Sequence, residues 1–502
     1  MPKPKSFLKE PKLKKKAAQQ VPVTADEFLA VGVEQEEAGE KWRAGDAAKS
    51  LRFFMRAITT YDQGLGKHPT SFDLAYNKAR VQYEITQHPK LAAQLQAPLL
   101  QALQVALQSH KDALTLDQEN ADVLFNTGQV LTSLAEIVSD IKHPSDQQLT
   151  QAVQCLQEAL ELFQRCFAVQ ELRFTETQEE IKQMESGDTQ VPDVQQQPEP
   201  EPQPQPDAND DAAEDAPEQW AAVVEPVTKD SLVDTAVAQL EALTTLCNLL
   251  TFNPGDGLPW VEEYSSDLVQ NKMPAYVDGS SREYEATMAR AKFICALTEV
   301  IYRSGRVEVE TYHQEITRVF GPELNLSADP EGLCSKADAH MSFNTAVADL
   351  PPTHDPDAFK KSLVLRWKSL STALDSLTAA SKLPDADNLP KIHIARGDVE
   401  MNRWRLGMAP WEYGMAQQNG SLLLRNAQAY YRGAAALARR DGAAEETRDG
   451  TCKEAFAAGL EGQKNKLMQL RRAAPKELVA VAEDMVDDGL ASPMELEALL
   501  SS

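Results

Sequence analysis

Along most of this chain the apolar residues step by threes and fours. The runs DALTLDQENADVLFNTGQVLTSLAEI and AVQCLQEALELF, between Asp112 and Cys166, show it most plainly. Ala152, Leu156, Ala159 and Leu160 recur at i, i+4, i+7 and i+8, the apolar stripe of a buried amphipathic helix. Small residues at Gly128, Ala152 and Ala159 would let two helices approach closely. The stretch predicts the end of one helical hairpin followed by a second, whole one.

The helical pattern starts near Val23. Thr24 is a natural N-cap, Glu27 completes a capping box, and Val23 and Phe28 stand at the positions of a hydrophobic staple. Pro69 ends a second helix, because a proline cannot continue the hydrogen-bond ladder. His88-Pro89 with Pro98, and then His143-Pro144, mark later turns. After Lys229 the segment SLVDTAVAQLEALTTLCNLL reads as a strong helix. Pro254, Gly255 and Gly257 form a loop, with another helix near Pro259-Trp260. A hairpin over 281–320 turns at Ser304-Gly305. Asp329-Pro330 and Asp355-Pro356 each place an N-cap before an N1 proline. Leu363, Trp367, Leu370, Leu374 and Leu377 share one face. Residues 443–473 read as one long terminal helix, and Ser492 with Glu495 opens a short last one.

The pattern breaks near Thr175. The run VPDVQQQPEPEPQPQPDANDDAAEDAPEQ is acidic, rich in Pro and Gln, and nearly free of aliphatic residues. Between Glu176 and Glu225 its only base is Lys182. Such a segment cannot bury enough apolar surface to offset chain entropy, which predicts disorder. The expected organisation is a basic tail over 1–22, a helical block over 23–174 and an acidic linker over 175–227. A second helical block covers 228–473, and short terminal helices follow over 474–502.

The formal net charge of −26 sharpens this picture. It disfavours nucleic acid as the main ligand, since phosphates are repelled, and favours basic proteins as partners; plain solubility is the competing reading. The first sixteen residues run the other way, with seven lysines against Glu10. Lys12, Lys14, Lys15 and Lys16 form a cluster that reads either as a nuclear signal or as a solvated tail. No run of eighteen apolar residues predicts a membrane span, and no apolar core follows the N-terminal lysines to make a secretory signal. Six cysteines without a Cys-x-x-Cys pair read as reduced, buried small hydrophobes of an intracellular protein.

Over 38–163, and more loosely over 228–440, the chain resembles the tetratricopeptide repeat (TPR) family, whose helical hairpins stack into solenoids. Gly45 falls at the family's small eighth position. Ala57, Tyr61, Gly64 and Pro69 fall at its twentieth, twenty-fourth, twenty-seventh and thirty-second, while the usual Trp is shifted by one, to Trp42. With insertions, Asn77, Ala79, Ala106 and Ala113 match a second repeat. Gly397, Ala427, Tyr431 and Ala434 match a degenerate later one. The resemblance implies an all-α fold and a groove lined by each hairpin's first helix. In heat-shock co-chaperones of the family, Lys, Asn and Arg side chains clamp an acidic tail. The corresponding residues here are Trp42, Asp46, Asn77, Asp122 and Asn126. Only Asn77 matches, and the aspartates would repel a carboxylate, so a heat-shock chaperone tail clamp is rejected.

In their place, Asp46, Asn77, Asp122 and Asn126 suit a basic, extended peptide, since an Asn amide both donates and accepts. The competing reading leaves these residues solvated or bonded between helices. The acidic insert either shields a lysine-rich client or is an inert spacer.

No zinc helix, phosphate loop or nucleophile elbow occurs in the sequence. His313 with Glu315 and His393 near Asp398 are weak pairings. No catalytic residue, cofactor, metal or membrane partner is expected. The reading is a non-catalytic TPR chaperone or adaptor for a basic client of the ribosomal-protein or histone type, in cytoplasm, nucleus or both. The layout is similar to histone chaperones whose TPR domain is interrupted by an acidic stretch. The alternative is a scaffold subunit of a larger assembly.

Overall fold

A computed structural model describes residues 21–185 and 226–501, apart from Pro254 and Asp256. The basic cluster Lys12, Lys14, Lys15 and Lys16, and the acidic run from 186 to 225 with Trp220, lie outside the described residues. All regular structure among the described residues is helical. The chain divides into two compact units, residues 1–137 and 138–502.

The first unit holds α1 (Ala25–Arg43), α2 (Ala47–Lys67), α3 (Phe72–Gln87), the single turn α4 (Pro89–Ala92), α5 (Leu99–Leu116) and α6 (Ala121–Ser139). The capping box at its start forms as expected. Glu27 N donates to Thr24 Oγ1 at 3.2 Å, and the Glu27 carboxylate accepts from Thr24 N at 3.1 Å. Val23 stays 64% exposed while Phe28 is buried, so the staple does not close over Val23. Phe28, Phe54, Tyr61, Leu74, Val81 and Leu91 make one core, which joins α1, α2 and α3. Leu103, Ala106, Val130 and Leu134 join α5 to α6.

The close contact between α1 and α2 rests on glycine. A Cβ built on Gly32 would lie 2.1 Å from the Tyr61 ring, so only a glycine admits that ring. Gly39 lies against Phe54 less tightly: a Cβ there would stand 3.1 Å from the ring, a contact that a small shift relieves. Ala57, Tyr61 and Gly64 are buried on α2, and Pro69 lies in the turn before α3, where the sequence placed them. Gly45 corrects the expectation. It is exposed in the α1–α2 turn with nothing within 4 Å, so it takes no part in helix packing. Gly128 on α6 is buried.

The second unit begins with α7 (Asp146–Glu185), α8 (Lys229–Leu250) and α9 (Gly257–Asp267). A π-helical turn over Leu268–Lys272 leads to α10 (Met273–Val277). Then come α11 (Glu283–Arg303), α12 (Val309–Val319), α13 (Pro330–Asp349), α14 (Pro356–Ala380) and α15 (Leu389–Arg405). The unit closes with α16 (Gly414–Asp441), α17 (Ala444–Leu460), α18 (Asn465–Ala473), α19 (Pro475–Asp487) and α20 (Pro493–Ser501). Both Asp-Pro starts, at α13 and α14, fall where the sequence put them.

Three boundaries differ from expectation. First, α7 runs ten residues past Thr175. The segment TQEEIKQME is made mostly of strong helix formers, and acid content alone does not end a helix. Second, the acidic run does not separate the compact units, because α7 before it packs on α8 after it. Ala152 and Ala159 lie buried on α7. Thr235 Oγ1 donates to Gln170 Oε1 at 2.8 Å, and the Tyr276 hydroxyl donates to Glu171 at 2.8 Å. Third, 443–473 is two helices. The chain turns at Gly462, whose φ of +96° is a conformation L side chains rarely adopt.

A second glycine–tyrosine contact sits between α15 and α16. A Cβ on Gly397 would lie 2.3 Å from the fully buried Tyr431 ring. The Tyr431 hydroxyl donates to Asp398 at 2.7 Å, and Lys453 Nζ on α17 reaches the same carboxylate at 2.9 Å. In the first unit the Tyr61 hydroxyl likewise donates to Glu36, which pairs with Arg80 on α3. In both places a tyrosine fills a glycine gap, and its hydroxyl meets a carboxylate neutralised by a base from the following helix. Four of the six cysteines are buried.

Candidate protein-binding face

The residues nominated for a groove do not all meet. Asp46 is the N-cap of α2, and its Oδ1 accepts from Lys49 N at 2.9 Å. A short carboxylate there satisfies a backbone N–H that has no partner within the helix. Asp46 therefore belongs to a turn and does not line a wall. Asn77 is also engaged within its own helix. Its Nδ2 donates to the Asp73 carbonyl at 2.8 Å, and its Oδ1 accepts from Arg80 at 3.3 Å.

Asp122 and Asn126 do come together, on one face of α6, opposite Tyr76 of α3. Asn126 Nδ2 donates to the Tyr76 hydroxyl at 2.8 Å. Phe72, one turn before Tyr76, lies parallel to it, with centroids 5.6 Å apart and planes 7° apart. The period that buries Leu74, Ala75 and Ala79 leaves Phe72 and Tyr76 half-buried beside α6. Burial, and then the charge of Asp122, push the Tyr76 hydroxyl up to about 12, so it stays protonated. Asp73 and Asp122 are exposed, and neither has an ion-pair partner among the described residues. The face thus offers an aromatic pair between two unneutralised carboxylates. An aromatic surface and a nearby carboxylate both attract an arginine or lysine side chain.

An ion-pair lattice ties α1 to α3 beside this face. Arg80 joins Glu36 to Glu84, and Arg43 pairs with Glu84 at 2.6 Å and with Glu40. The sequence reading passed over Phe72, Tyr76 and Arg80. Their signal was present: an aromatic pair at i, i+4, with an arginine four residues further on.

The two histidine pairings do not form. Glu315 is taken by Arg318 at 2.7 Å, and the His313 ring meets Phe343 edge-on. Asp398 is taken by Tyr431 and Lys453, while His393 Nδ1 lies 3.4 Å from Arg396. Among the described residues no cluster of three or more His, Cys, Asp or Glu is placed to hold a metal ion. No described helix is long and apolar enough to cross a membrane.

No family model matches the chain. The UPF0656 protein C926.02 of Schizosaccharomyces pombe is 26% identical over 408 residues, covering 78% of this chain and 80% of that protein. Among solved structures, a circular tandem repeat protein with novel repeat topology and enhanced subunit contact surfaces aligns over 93% of this chain and 99% of its own. That match is 13% identical, with a TM-score of 0.30.

Proposed function

We propose that this protein is a non-catalytic, TPR-like chaperone or adaptor for a basic client of the ribosomal-protein or histone type, held on the α3–α6 face. The observation that carries this reading is the Phe72–Tyr76 pair flanked by Asp73 and Asp122, carboxylates with no counter-ion among the described residues. The net charge of −26 acts in the same direction, raising encounter rates with a lysine-rich partner. The paired helical hairpins support a TPR-like reading, with a glycine–tyrosine spacing that differs from the family's. On this reading the protein works in cytoplasm, nucleus or both, with the acidic run over 186–225 adding to the attraction.

The test is a pull-down at low and high salt with the full chain, the chain lacking 186–225, and an Asp73→Asn/Asp122→Asn variant. One dominant basic partner, weakened by salt and by the double substitution, is the expected result. A fixed set of neutral partners, indifferent to both changes, would point to a scaffold subunit. That alternative draws on the exposed apolar residues Leu99, Leu100, Val105 and Leu116 of α5.

A further inference from the structure

The second unit contains a cavity of about 970 Å³ between α12, α13 and α14 and the loop that joins the first two. It is open to solvent rather than enclosed, and far larger than one ion needs. Its apolar wall includes the half-buried Leu333 and Trp367, and its polar lining includes Lys336, Lys368, His313 and His340.

The charges in it run against those of the whole chain. The sequence has 76 acidic residues against 50 basic ones, yet this cavity has two lysines and one carboxylate, Asp375. Lys368 is exposed and has no ion-pair partner among the described residues. Asp375 lies two helical turns further along α14, about 10 Å at 1.5 Å per residue, too far for direct contact along the helix. Lys336 Nζ is tethered to the Phe320 carbonyl at 3.2 Å, which uses one of its three N–H donors.

The nearby hydroxyls add no donors. Thr317, Ser371 and Thr372 spend their O–H groups on backbone carbonyls of their own helices, at 2.8, 2.8 and 3.2 Å. Ser327 gives its O–H to Asn325 Oδ1 at 2.7 Å, so the donors left to a ligand include the Asn325 amide and the two ammonium groups, and of these only the ammoniums carry charge. His340 is buried with its Nδ1 2.9 Å from Ser369 Oγ, and His313 lies beside it, 6.3 Å between centroids.

We infer that this cavity is a docking site for an acidic peptide segment that seats an apolar side chain against Leu333 and Trp367 and its carboxylates on Lys336 and Lys368. Two points favour a peptide over a lone anion: the volume, and the apolar wall beside the cations. The site is independent of the α3–α6 face and selects the opposite charge, so an adaptor with both would join a basic partner to an acidic one.

The test is fluorescence anisotropy of the full-length protein with a fluorescein-labelled hexapeptide alternating Glu and Leu. Its Lys-Leu counterpart and inorganic phosphate serve as comparisons. At physiological ionic strength screening acts over about 8 Å, so local charges decide the outcome. Lys368→Glu should weaken the Glu-Leu peptide tenfold or more. Lys361→Glu makes the same charge change at an exposed lysine outside the cavity, and it should change binding less than twofold. The Lys-Leu peptide should not compete. Equal weakening by both substitutions, no binding of the Glu-Leu peptide, or displacement by phosphate at the peptide's own concentration would each overturn the inference.

Discussion

The glycine–tyrosine contact makes a prediction whose sign depends on a second residue. In Gly397→Ala the new Cβ would stand 2.3 Å from Tyr431 Cε1 and 2.6 Å from Cδ1. An ordinary carbon contact is about 3.5–4 Å, so the ring must move by more than 1 Å. It has little freedom to do so. Tyr431 is fully buried, and its hydroxyl is fixed to Asp398, which Lys453 also contacts. Overpacking of this kind costs about 1–3 kcal/mol, and the size of the clash argues for the upper end. Alanine in place of glycine inside a helix returns about 1 kcal/mol. The net expectation is a loss of about 2 kcal/mol.

With Tyr431→Ala already in place every ring carbon facing position 397 is gone, and only the helix-propensity gain remains. There, Gly397→Ala should stabilise by up to about 1 kcal/mol. Calorimetric melting of the four proteins in the cycle measures both effects, and comparing within each background removes the cost of losing the tyrosine itself. If Gly397→Ala lowers the melting temperature equally in both backgrounds, the ring is not what excludes a side chain at position 397.

Two further outcomes follow from buried charges. Lys453→Met leaves the Asp398 carboxylate, whose side chain is 16% exposed, without its cation, and should destabilise by about 3–5 kcal/mol in urea melts. Adding Asp398→Asn keeps an acceptor for the Tyr431 hydroxyl and removes the stranded charge, so the double variant should recover much of that loss. In the first unit, burial lowers the His110 imidazole from 6.5 to about 4, and its Nε2 has no hydrogen-bond partner among the described residues. Its folded state favours the neutral ring, so this contribution to stability is complete above pH 6.5 and is lost as the pH falls toward 4. The loss amounts to roughly 3 kcal/mol at 1.36 kcal/mol per pH unit. His110→Leu should flatten the stability-versus-pH curve over that window; an unchanged slope would show that His110 does not titrate with unfolding.

Features that depend on a few consecutive residues were legible in the sequence. Thr24 with Glu27, Asp329-Pro330, Asp355-Pro356 and Ser492 with Glu495 each start a helix where expected, because capping is settled within one turn. The buried face of a single helix was legible too. Ala57, Tyr61 and Gly64 on α2 share their spacing with Ala427, Tyr431 and Ala434 on α16, and all six are buried. The candidate face was half legible. Asp122 and Asn126 lie on it, but recognising Tyr76 and Phe72 required knowing that α3 lies beside α6.

The misplaced glycine shows why the rest was hidden. In the repeat family, the small residue on the first helix precedes the aromatic on the second by sixteen positions. Counting back sixteen from Tyr61 lands on Gly45, which lies in a turn. The glycine that receives the ring is Gly32, twenty-nine residues back, and for Tyr431 it is Gly397, thirty-four back. The helices here are longer than the family's, and each added turn lengthens the separation without changing the contact. What the packing preserves is a place where the two helix axes approach and a ring needs room. A fixed spacing finds that place only when helix length is fixed as well. The rule that transfers is steric: on the helix preceding a buried tyrosine, look for the glycine that lies on the buried face and has an acid near it in sequence. Gly32 with Glu36 and Gly397 with Asp398 both satisfy that rule, and Gly45, in an exposed turn, does not.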